Sequence, residues 1–172
     1  MRRTKPSRAT AIALLMVLAS FFSLANLWAA DAKESKPPIY DPGSDVKSQI
    51  ASAIDKAGSG NKSVLLMFGA NWCPWCHRLH ELFQADAAIR RYLGDHYLVV
   101  MVDIGEKKDE PLNQDVVGKY SVPVKEFGYP CLAALDSRGK VLCTQSTGVL
   151  EKGKGHDPEK VLAFLKLQIP LK

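Results

Sequence analysis

Val64-Leu65-Leu66-Met67-Phe68-Gly69-Ala70-Asn71-Trp72-Cys73-Pro74-Trp75-Cys76 runs from an unbroken apolar stretch into two cysteines three positions apart. Residues 64–68 are too few for a helix between those flanks and too evenly apolar for a half-exposed strand, so they read as a strand buried on both faces. Beyond the cysteines, Leu79, Leu82 and Phe83 recur at helical spacing, with Arg78 and Glu81 off that face. The cysteines therefore sit where a buried strand hands over to a helix.

That position has chemical content. First-turn N–H groups and the helix dipole favour negative charge, and thiols in such motifs ionise at about pH 3.5–7.5. Cys73 is expected to be the exposed nucleophile. Cys76, one turn on, is placed to attack the mixed disulfide formed on Cys73 and release the product. Pro74 suits the first turn, where it has no N–H to lose. Trp72 and Trp75 flank the pair and offer an apolar contact surface for partners, although Trp72 reads equally well as core.

Three other readings compete for these residues. Cys73-Pro74-Trp75-Cys76-His77 has the form of a c-type haem attachment signal; its setting in an alternating β and α pattern argues against that. His77 and His80 add two potential metal ligands, but without the long spacer that lets ligand pairs converge on zinc. The third reading is an inert staple, yet two cysteines so close at a helix start form an exposed, strained loop suited to exchange. His77 and His80 then read as solvated helix residues, His77 able to tune Cys73 by charge. The reading calls for no metal and no cofactor.

Working outward, Val46, Ile50, Ala53, Ile54 and Ala57 keep helical spacing, with Ser44 or Asp45 as N-cap and Gly58 as the stop. Residues 87–93 form a second helical piece ended by Gly94, and residues 97–102 a second buried strand ending at Asp103. A charged loop spans residues 105–111, a short helix residues 112–120, and a connection holding Pro123 and Gly128 residues 121–129. Cys131–Leu135 and residues 140–144 flank Asp136-Ser137-Arg138-Gly139 as a hairpin. Asp157-Pro158 opens a last helix with Val161, Leu162, Phe164, Leu165 and Leu167 as its apolar positions. The order α-β-α-β-α-β-β-α implies an α/β domain, a central mixed β-sheet with helices on both faces.

The N-terminus is of another character. Arg2, Arg3, Lys5 and Arg8 precede an uncharged stretch, residues 9–30, and Ala30-Asp31-Ala32 supplies a small-residue cleavage site. This is the pattern of a secretory signal peptide over residues 1–32; the uncharged stretch is also long enough for an uncleaved anchor. Residues 33–44, with Pro37-Pro38 and Asp41-Pro42-Gly43, read as an extended lead-in, and residues 45–172 as the domain. The location expected is periplasmic or otherwise exported, or anchored at the outer face of the inner membrane. At 172 residues, 47% hydrophobic and 24% charged, the chain suits one domain. Its net charge of +5 falls to +2 once the four N-terminal cations and Asp31 are removed, leaving 19 positive and 17 negative side chains. A domain so nearly neutral has no electrostatic footprint for nucleic acid.

Together these residues resemble the thioredoxin superfamily, and within it small periplasmic thioredoxin-like proteins and the soluble C-terminal domain of the transmembrane thiol-electron carrier. Residues 68–76 resemble the strand–Trp-Cys-x-x-Cys–helix segment, and Gly128-Tyr129-Pro130 with the hairpin after it the proline-then-hairpin segment. The resemblance implies the thioredoxin fold, with Pro130 as the cis-proline facing the cysteines and the Tyr129 backbone pairing with an extended substrate. It also implies an exported thiol–disulfide oxidoreductase whose partners are thiols and disulfides of other exported proteins, with a membrane thiol-electron carrier a possible electron source. Either direction is open, with a lean to reductase because no inserted substrate-binding domain fits between the motifs. A non-enzymatic binding or assembly module on this fold is the alternative. Two departures stand out. Met67 takes the place of a buried acid, with Asp103 or Glu126 as the candidate substitute, and Cys131 follows the proline. Cys131 and Cys143 are expected either as buried thiols or as a second disulfide.

Overall fold

The computed structural model describes residues 36–105 and 111–168. The chain divides into two units, Met1–Pro37 and Pro38–Lys172. The signal-peptide or anchor reading of residues 1–32 lies outside the described residues. No helix among the described residues is long and apolar enough to cross a membrane.

Helix α1 (Val46–Gly60) starts at Asp45, whose carboxylate accepts the Ser48 N–H at 3.1 Å. It does not stop at Gly58. It runs two residues further, to Gly60, and is capped by Asn61 in the left-handed conformation (φ 53°), whose N–H closes the end on Ala57 O. Strand β1 (Ser63–Gly69) follows, buried along its whole length. Helices α2 (Pro74–Ala85) and α3 (Ala87–His96) cross over to β2 (Tyr97–Asp103), which pairs parallel with β1. Gly94 does not end α3. A glycine costs a helix only about 1 kcal/mol, and the Tyr97 N–H still closes the last turn on Leu93 O.

Short helices α4 (Gln114–Lys119) and α5 (Val124–Phe127) lead to β3 (Cys131–Leu135), α5 lying where the sequence suggested a plain connection. Strand β4 (Val141–Ser146) returns as a hairpin around Asp136, whose carboxylate accepts the N–H groups of Arg138 and Lys140. A 3₁₀ turn (Thr147–Leu150) and a small hairpin, β5 (Glu151–Lys152) with β6 (Gly155–His156), precede α6 (Pro158–Leu167), capped by Asp157. That hairpin, two residues a side, is too short to leave a strand pattern in the sequence.

The four-stranded sheet has the order β2-β1-β3-β4, with β3 antiparallel to both β1 and β4. Alternation along the central strands sorts the core. Val64, Leu66 and Phe68 of β1 join Cys131, Ala133 and Leu135 of β3 against α1, α4 and α5. Leu65 and Met67 join Leu132 and Ala134 against α2, α3 and α6. The result is an α/β domain with helices on both faces, as expected. Among the described residues strand β2 pairs with β1 alone and is an edge, so it is not fully buried: Val99 is 39% exposed. Leu167, expected among the apolar positions of α6, is 79% exposed at the helix end.

Candidate active site

Cys73 is the N-cap of α2. Its extended backbone (φ −86°, ψ 108°) turns the side chain onto its own helix terminus, where Sγ accepts the Cys76 N–H at 3.2 Å. Pro74, at the first helical position, is solvent-exposed. The sequence suggested an exposed Cys73, but the residue is 3% exposed and Cys76 is 0%. The capping geometry folds the sulfur inward, 3.6 Å from the Tyr129 carbonyl, which it reaches as an S–H donor.

The two thiols are pushed apart in acidity. Hydrogen bonding from Cys76, by side chain and by backbone N–H, outweighs burial and holds the Cys73 thiol down at about 7. Cys76 is driven far above an ordinary thiol by its bond to Cys73, by burial and by the Cys73 charge. The arrangement thus makes one thiol more acidic than an ordinary cysteine and keeps the other protonated one helical turn away.

The Tyr129–Pro130 peptide is cis. Pro130 is buried, and its carbonyl accepts the Thr147 hydroxyl at 2.6 Å, so the 3₁₀ turn after β4 pins the segment that faces Cys73. Tyr129 stacks edge-on to Trp72 with ring centroids 6.1 Å apart. Trp72 is surface rather than core: it is 44% exposed, and its indole N–H donates to Gly105 O at 2.9 Å. Trp75 is half-buried, with the Arg78 guanidinium 4.6 Å over its ring and the His156 ring edge-on at 5.4 Å.

Several expectations change in three dimensions. His77 is not solvated: it is 8% exposed, and its Nε2–H donates to Asn71 O at 2.8 Å, bracing the loop ahead of Cys73. With that ring committed to the loop, the haem-attachment reading loses its histidine. No group of three or more His, Cys, Asp or Glu side chains that could hold a metal ion occurs among the described residues. Met67 is fully buried on the face that carries Cys76. Asp103 is buried level with Gly69, one carboxylate oxygen accepting the Gly105 N–H, whereas Glu126 is exposed.

Cys131 and Cys143 are both free thiols. Cys131 lies opposite Ser146 and Cys143 opposite Ala134, so the two are offset by three residues, about 10 Å along the strand. Cys131 packs with the α1 side of the core and Cys143 against the other. Bridged cysteines have Cα atoms within about 7 Å, so this register favours two separate thiols. Burial raises Cys131 to about 12 and also raises Cys143.

The sequence reading missed Asn71 and Tyr40. The Asn71 side chain accepts from the N–H groups of Ile39 (2.8 Å) and Tyr40 (2.9 Å) and donates to Tyr40 O (2.9 Å). The lead-in is therefore tied to the loop before Cys73, and Tyr40 is buried in the Cys76 side of the core. An asparagine just before Trp-Cys and an isolated aromatic in a proline-rich stretch were the available signals.

The mixed sheet, the strand-to-helix junction bearing two thiols and the cis-proline opposite it define a class, the thioredoxin-fold thiol–disulfide oxidoreductases. The chain belongs to the thioredoxin-like family: the family model described as Thioredoxin-like domain matches residues 50–154. It is 28% identical to the disulfide bond reductase DsbH of Chlamydia pneumoniae over 124 residues, 69% of this chain and 71% of that protein. Among solved structures it resembles the disulphide isomerase from Xylella fastidiosa Temecula1 (26% identity, TM-score 0.66, 77% of this chain and 97% of that one). It also resembles a DsbH oxidoreductase (26% identity, TM-score 0.53, 71% and 82%).

Proposed function

We propose that this protein is an exported thiol–disulfide oxidoreductase that reduces disulfides of other exported proteins through Cys73 and Cys76. The observation that carries the reading is the Cys73 sulfur: it caps α2, accepts the Cys76 N–H and faces the carbonyl before a cis-proline. The Cys73 thiolate attacks a substrate disulfide, one substrate sulfur leaves as a thiolate, and a mixed disulfide remains on Cys73. Cys76 then attacks Cys73 Sγ, which closes the Cys73–Cys76 disulfide and releases the second substrate thiol. An extended substrate pairs with the Tyr129 backbone, and exposed Trp72 supplies apolar contact beside it.

Two points support the reducing direction. A thiol ionising at about 7 stabilises the dithiol form only modestly; strongly oxidising members of this chemistry ionise near 3.5. The Chlamydia pneumoniae relative, 28% identical, is named a disulfide bond reductase. Export rests on the cationic and apolar pattern of residues 1–32, with residues 45–172 as the working domain. A reductase outside the cytosol must be recharged, and a membrane thiol-electron carrier is the class of partner that would do so.

Trapping tests this. In exported full-length protein, Cys76→Ser should accumulate mixed disulfides through Cys73 that dissolve on reduction, and Cys73→Ser should accumulate none. Equal trapping by both variants would sink the assignment of roles.

A further inference from the structure

Tyr40 is 2% exposed, and its hydroxyl has no hydrogen-bond partner among the described residues. Buried polar groups are seldom left so. The hydroxyl also meets the Cys76 sulfur at a defined place: a Cβ built on Gly69 would overlap both Cys76 Sγ and Tyr40 Oη. The two atoms thus lie close together in the space that the missing Gly69 side chain leaves open. Asn71 fixes the Tyr40 backbone on both its N–H and its carbonyl, so the ring does not sit there by chance.

We propose that the Tyr40 hydroxyl is the donor that stabilises the Cys76 thiolate as it attacks the mixed disulfide on Cys73. The inference rests on the exchange reading above. A protonated thiol is a poor acceptor, which explains an unpaired hydroxyl in the dithiol form; a thiolate is a strong one. The titratable groups acting on the hydroxyl are Cys76 and Cys73 from α2 and Cys131 from β3. With burial as the largest cause, they hold the phenol well above its usual value, so it keeps its proton and donates rather than acting as a base. Donation from the nearby Tyr40 hydroxyl to the sulfur lowers Cys76, and no carboxylate is among the groups that do so. In the step itself Cys76 loses its proton to solvent and its electron pair forms the new bond to Cys73 Sγ. The bond from Cys73 to the substrate sulfur breaks, and the departing thiolate takes up a proton. Tyr40 is unchanged at the end.

The test uses the reduced full chain mixed with one equivalent of dithiobis-nitrobenzoate, so that the acidic Cys73 reacts ahead of the free Cys131 and Cys143. The coloured thiolate is released once by Cys73 and again when Cys76 resolves. In Tyr40→Phe the first release should keep its rate within about twofold. The second should slow about tenfold at pH 7, its pH midpoint moving up by about one unit. The reduced variant should melt no lower than the parent, because the hydroxyl it loses has no partner in that form. An unchanged second release overturns the proposal. So does a variant that melts well below the parent, since the hydroxyl would then be a structural bond. If the unaltered chain gives no first release, the exchange reading fails instead.

Discussion

The backbone N–H of Cys76 donates to Cys73 Sγ across 3.2 Å, so the sulfur of one cysteine is held by the main chain of the other. That contact exists because Cys73 is an N-cap: its sulfur shares the Cys76 N–H, which also donates to Cys73 O at 3.1 Å, at a helix end that favours negative charge.

Alkylation should report it. The rate at Cys73 is expected to follow a single ionisation near pH 7, falling about tenfold per unit well below it, with Cys76 unmodified over the same range. Peptide mapping after iodoacetamide treatment at graded pH checks both points. A midpoint at the ordinary thiol value of about 8.5 would contradict the capping account.

Asn71→Ala removes three hydrogen bonds to Ile39 and Tyr40. At about 0.5–1.5 kcal/mol each, the loss should be about 1.5–4.5 kcal/mol in urea unfolding. Cleavage in the lead-in by a non-specific protease should quicken. Unaltered stability would mean that the lead-in is not held by this side chain.

Gly69→Ala places a methyl group where Cys76 Sγ and the Tyr40 hydroxyl already are. Overpacking of this kind costs about 1–3 kcal/mol, and both the melting temperature and the rate of the Cys76 step should drop. A tolerated alanine would show that the space is looser than described.

His156 is 8% exposed, with both ring nitrogens unpartnered among the described residues. Burial, with a smaller push from Arg78, lowers it from 6.5 to about 4. The unfolded chain therefore takes up this proton first as pH falls. The stability that neutral His156 contributes is full above pH 6.5 and is lost progressively down to about pH 4. His156→Phe should flatten the fall in melting temperature between pH 7 and pH 4.5. Parallel curves for parent and variant would contradict a buried neutral ring.

The central strands and the two motifs were legible because their signals are local. Residues 64–68 are apolar without interruption, and the hairpin turn is marked by Asp136 and Gly139. The edge position of β2 was not legible, since Tyr97–Asp103 is as apolar as a buried strand and only the pairing order exposes Val99. His77 was misread because its partner, Asn71 O, is a backbone atom brought near by the loop. Tyr40 was missed because its burial depends on Asn71, 31 residues on. At the site, residue types and spacing pointed to Cys73 and Cys76. The inward turn of Cys73 and the separation of Cys131 from Cys143 needed dihedral angles and register.

The most direct measurement of the central claim is the reduction of insulin by the full chain with dithiothreitol as electron source, followed as turbidity. Precipitation should set in well before that with dithiothreitol alone, and Cys73→Ser should abolish the acceleration. An onset no earlier than the reagent's own, or an acceleration that survives Cys73→Ser, would contradict the account.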